Sequence, residues 1–114
     1  MDESLSDAYR MIYDFKEGAF APGSAMTKEQ EQLVTLLADD LAVAGDRNDP
    51  GALILPVSRV DTFWNQQAMG AIIDFQDALA AGSRESAEVL RSAFLARCPS
   101  AWYRENVDDA CACF

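Results

Sequence analysis

Residues 58–79 read SRVDTFWNQQAMGAIIDFQDAL, and their spacing decides the fold class. Val60, Phe63, Trp64, Ala68, Ala71, Ile72, Phe75 and Leu79 recur at intervals of three and four. That period gathers side chains on one face of an α-helix. The stripe runs for about five turns, too long for a strand. Ser58 followed by Asp61 has the form of a helix-capping signature and predicts the start of this helix. Gly70 sits inside it, where glycine costs on the order of 1 kcal/mol relative to alanine. Close approach of a neighbouring helix is the reading that accounts for that cost.

Working outward from this helix, the same period recurs. Gly82-Ser83 breaks and restarts the chain, and Ala87, Leu90, Ala93, Phe94 and Cys98 form the next apolar face. Pro99-Ser100 breaks it again ahead of a short helix over 101–110 carrying Trp102, Tyr103 and Val107. Upstream, Ser4 and Asp7 suggest a cap for a helix whose apolar face is Leu5, Ala8, Tyr9, Ile12 and Tyr13, stopped at Gly18. Phe20 is expected to tuck under the Pro-Gly turn that follows. Thr27 with Gln30 forms a capping box for a helix buried through Leu33, Val34, Leu37, Ala38 and Leu41, with Gly45 as its stop.

Between these helices, residues 45–51 (GDRNDPG) are dense in turn formers, and 52–57 (ALILPV) is apolar with a proline inside. Proline removes a backbone donor, so a central strand is excluded and an extended apolar segment is expected. The predicted fold class is all-α: a small bundle of four to five antiparallel helices with one irregular apolar segment around residues 46–57. At 114 residues the chain is read as a single helical domain over 1–114, with a tail at 108–114 free to be flexible.

Charge and composition narrow the function. Apolar residues make up 50% and charged residues 25%, a balance that supports a folded core. Nineteen acidic residues face nine basic ones, for a net charge of −10. Such a surface repels phosphate backbones and anionic lipid, so neither direct nucleic-acid binding nor membrane docking is expected. A protein partner with a basic surface would instead be attracted. The acidic N-terminus lacks the basic region of a signal peptide, and with three cysteines that form no disulfide framework the expected compartment is the cytoplasm.

Histidine is absent. Its absence removes Ser-His-Asp and Cys-His arrangements, the commonest general base near neutral pH and imidazole metal ligands. No phosphate-binding glycine loop occurs either. The chain is therefore read as a non-enzymatic acidic binding protein without a cofactor: an inhibitor, adaptor or accessory subunit. In its sharpest form it is a nucleic-acid mimic that occupies a basic, nucleic-acid-binding groove on its partner. Residues 1–57 hold eleven acids against four bases, net −7, whereas 58–114 hold eight against five, net −3. The expected contacts are accordingly Asp2, Glu3, Asp7, Asp14, Glu29, Glu31, Asp39 and Asp40. The alternative lies in the C-terminal Cys-Ala-Cys, where Cys111 and Cys113 place two thiols two residues apart. Such a pair can ligate a soft metal or act in redox chemistry. The acids Asp108 and Asp109 beside it would raise the thiol pKa and oppose a reactive thiolate.

Overall fold

A computed structural model describes residues 3–19 and 26–113. These form five α-helices and no strand: α1 Glu3–Lys16, α2 Lys28–Asp40, α3 Pro50–Ala80, α4 Arg84–Arg97 and α5 Ala101–Ala112. The all-α class read from the apolar periods is what the chain adopts. The structure divides into two compact units, Met1–Asp61 and Thr62–Phe114, with α3 contributing to both. The expected position of Phe20 lies outside the described residues.

In the first unit, α1 and α2 pack antiparallel. Leu5, Ala8, Tyr9, Met11, Ile12 and Phe15 are buried along α1, and Val34, Leu37 and Ala38 along α2. Helix α1 starts at Glu3, so Ser4 lies in its first turn rather than ahead of it. The Thr27 capping box is complete: Gln30 N–H donates to Thr27 Oγ1 at 3.1 Å and Thr27 N–H to Gln30 Oε1 at 2.9 Å. Near the end of α1, Lys16 forms an ion pair with Asp61, whose side chain is only 7% exposed. The expected cap partner of Ser58 is thus a buried charge on α3, matched by one of the two lysines.

Three helices end in the same way. Gly18 and Gly82, at φ +84° and +85°, close α1 and α3 with paired hydrogen bonds back into the last turn. Ala19 N–H reaches Asp14 C=O at 2.9 Å and Gly18 N–H reaches Phe15 C=O at 3.0 Å. At the end of α3, Ser83 N–H reaches Ala78 at 3.0 Å and Gly82 N–H reaches Leu79 at 2.9 Å. These six-to-one and five-to-two bonds define the Schellman motif and satisfy carbonyls left open by the helix. Helix α2 uses the same motif with Ala42 in the left-handed position, at φ +55°. There Val43 N–H bonds Ala38 C=O at 2.8 Å and Ala42 N–H bonds Asp39 C=O at 3.3 Å. The chain therefore leaves α2 before Gly45, the expected stop. Gly45 serves another purpose: a Cβ there would run into the Leu53 side chain.

The irregular segment expected around 46–57 is corrected by the structure. Only 46–49 is non-helical, and α3 begins at Pro50 rather than at Ser58. Pro50 occupies the first helical position, where a missing N–H costs nothing and the fixed φ suits the helix. Pro56 lies within the helix, at a position that ordinarily costs about 3 kcal/mol. Helical geometry buries Leu53, Ile54 and Val57, each 3% exposed or less. Burial of three such side chains contributes about 1.5–3 kcal/mol each, which outweighs the proline.

The second unit turns α4 back along α3. Ser83 completes the cap of α3 and is itself the N-cap of α4, accepting from Ser86 N–H at 3.2 Å. Phe75 and Phe94 are fully buried, and the Trp64 ring meets Phe94 edge-on at 6.1 Å. Ser100, also fully buried, caps α5 by accepting from Tyr103 N–H at 3.1 Å. Arg91 bridges α4 and α5 through Glu88 and Asp108. Helix α5 runs to Ala112, so residues 108–112 of the expected tail are helical.

Candidate functional site

The carboxylates named as partner contacts separate into groups. Asp7, Asp14 and Glu29 come together on one open cleft of about 440 Å³ along α1 and α2. All three are exposed, and Arg10 is the one basic residue lining the cleft with them. Met11, which is buried, and Leu33, which is half-buried, supply its apolar floor. Asp7, Arg10, Met11 and Asp14 meet there because three- and four-residue steps keep them on one side of α1. The complete capping box on α2 fixes Glu29 in the first turn of that helix.

The remaining acids serve other contacts. Asp40 accepts a hydrogen bond from Tyr9 Oη at 2.7 Å, linking the two helices. Asp39 pairs with Arg47 Nε at 3.0 Å, and the same guanidinium donates to Val43 C=O at 2.8 Å. The Asp39–Arg47 pair holds the loop after α2 in place. Glu31 faces a smaller hollow together with Lys28 and Arg47, where its charge is offset. Glu3 is exposed in the first turn of α1, and Asp2 lies outside the described residues. The structure thus gathers three of the eight expected contacts at one place.

Compared with known proteins, the chain matches no family model, no curated protein and no solved structure. Its functional reading therefore rests on its own geometry.

The C-terminal thiols are not brought to one point. Cys111 is 2% exposed inside α5, whereas Cys113 is exposed at the helix cap, with Sγ donating to Asp109 C=O at 3.4 Å. Residues two apart on a helix lie about 200° apart around its axis. Burial pushes the Cys111 thiol pKa up, with Asp108 and Glu88 adding to that shift and Arg91 opposing it. Cys98 is buried at the far end of α4, where Sγ faces Ser100 C=O at 3.8 Å. Among the described residues, no group of three or more cysteine or acidic side chains is placed to hold a metal ion. No helix among them is long and apolar enough to cross a membrane.

The sequence reading passes over the cleft's floor. Leu33 reads as an ordinary core position and Met11 falls outside the expected apolar face of α1; the crossing of α1 on α2 buries Met11 and leaves Leu33 half-buried beside carboxylates. The aromatic pairs behave as their adjacency implies. Phe63 is 51% exposed while Trp64 is half-buried, and Tyr103 is buried beside a half-buried Trp102.

Proposed function

We propose that the protein is a non-enzymatic binding protein that engages a basic protein surface through its α1–α2 face, acting as an inhibitor, adaptor or accessory subunit. One observation carries this reading: Asp7, Asp14 and Glu29, from two helices, line a single cleft with an apolar floor and one opposing arginine. Carboxylates alone would give attraction with little affinity, because exposed ion pairs contribute about 0–1 kcal/mol each. The half-buried Leu33, lying over the buried Met11, adds an apolar contact within a charged rim, the anatomy of a protein interface. An arginine- or lysine-bearing helix or strand fits this chemistry. The sharper form, competition with nucleic acid for a basic groove, follows from spaced negative charges standing in for phosphates.

The test uses two baits, the natural chain and the Asp7→Lys/Asp14→Lys/Glu29→Lys variant, for capture from the parent organism. A partner held by the first, lost with the second and released by about 0.5 M salt supports the reading, since screening at that strength shortens the electrostatic range to a few ångströms. Displacement of duplex DNA from the captured partner would support the mimic form. A partner retained equally by both baits and indifferent to salt overturns the electrostatic reading.

A further inference from the structure

The side of α3 that faces away from its core bears Phe63, Gln66, Gly70 and Ile73. Steps of three and four align these residues on one face. Phe63 and Ile73 are each 51% exposed, and the neighbouring Met69 is 55% exposed. Residues 62–73 contain no Asp, Glu, Lys or Arg, in a chain whose net charge is −10. In the middle of this face, a Cβ added at Gly70 would meet nothing within 4 Å. Among the described residues, no neighbouring helix comes close enough to justify a glycine there. Single exposed apolar side chains need no explanation, but several around an unfilled mid-helix glycine mark a contact.

A groove of about 300 Å³ runs beside this face, between α3 and α4, with Ala71, Leu90 and Ala93 among its walls. Two opposite charges line it. Asp74 lies one helical turn beyond Gly70. Arg97 is held at the level of Gln67, three residues before Gly70, by a 3.0 Å hydrogen bond from Nη2 to Gln67 Oε1. Its guanidinium also stacks 5.3 Å from the centre of the Phe94 ring.

We propose that this face is the contact of a homodimer, with α3 of a second copy crossing antiparallel at Gly70. A two-fold axis through Gly70 carries the level of Gln67 onto the level of Ile73 and Asp74. Arg97 of each copy then meets Asp74 of the other, and the pairing occurs twice, as an isologous interface requires. The missing side chain at Gly70 lets the helix axes approach, and Phe63, Met69 and Ile73 lose their water around it. The uncharged stretch lets two acidic copies approach without placing like charges face to face. A basic partner, in contrast, would find no carboxylate along residues 62–73. The inference is independent of the acidic cleft on α1 and α2.

Sedimentation velocity of the full chain over about 1–100 µM tests it, with circular dichroism to verify folding of each variant. The expected species has twice the 12.5 kDa chain mass. Ile73→Glu should raise the dissociation constant on the order of tenfold or more. Asp74→Arg and Arg97→Glu should each weaken the dimer, and combining them should restore it, because the swapped charges again meet their opposites. A chain that stays monomeric throughout, or a dimer indifferent to Ile73→Glu, overturns the proposal. A double swap no tighter than its single variants overturns the antiparallel geometry.

Discussion

Ala42 holds a left-handed backbone that glycine adopts without strain, at the one Schellman position of the three that lacks glycine. For an L-residue this conformation costs about 1–2 kcal/mol. Ala42→Gly should therefore raise stability by about 1 kcal/mol after the added freedom of the unfolded chain is subtracted, measured by urea denaturation. The converse change, Gly82→Ala, should cost a similar amount: space is open around Gly82, so strain at φ +85°, less the freedom removed from the unfolded chain, sets the effect. The thiols differ just as locally. Cys111 is buried with its pKa raised, and Cys98 is also buried, while Cys113 faces solvent. An aromatic disulfide reagent at pH 8 should label one thiol per chain at once and the other two only in denaturant. The raised pKa of Cys111 also fixes a sign: its contribution is complete below the unfolded thiol value and fades as pH rises through the folded one.

At the scale of an element, α3 departs most from its expected course. Pro56 lies at an interior helical position, and Pro56→Ala should stabilise the protein by about 1–3 kcal/mol, read as an increase in denaturation midpoint. No shift, or a loss, would mean that the ring's packing contributes more than the missing hydrogen bond. The same helix shows how far the sequence is legible. Its stripe from Val60 to Leu79 marks an α-helix correctly, and Phe75 proves fully buried. Its start does not, because a proline and a turn-rich run mask the continuation of the period through Leu53, Ile54 and Val57. Local propensity gives the wrong boundary where burial of three aliphatic side chains overrides it. The end of α2 is obscured for the opposite reason: alanine carries no stop signal, and only the backbone reveals Ala42. Of the candidate cleft, the acids on α1 and α2 are legible and their grouping is not, since the crossing of two helices sets which carboxylates share a rim.

For the molecule as a whole, nineteen acids against nine bases leave a net charge of −10, from which self-repulsion is expected to be the dominant electrostatic effect. The bridges of Arg47 and Arg84 are exposed and that of Arg91 is partly so; each contributes about 0–1 kcal/mol and weakens with salt. Repulsion spread over ten uncompensated charges is screened by the same ions, and it should prevail. The melting temperature is thus expected to rise by a few degrees between about 0.01 and 0.3 M sodium chloride, followed by circular dichroism. A fall would show that the discrete bridges dominate. Length is constrained as tightly as charge at one point in the chain. Only Ala81, Gly82 and Ser83 separate α3 from α4, and Ser83 both closes the first helix and opens the second. One residue inserted there shifts the phase of α4 by about 100°. Phe94 would swing out of the core and Leu90 away from its groove, so the joint acts as a gear tooth: the number of residues in it, more than their identity, sets how α4 meshes with α3.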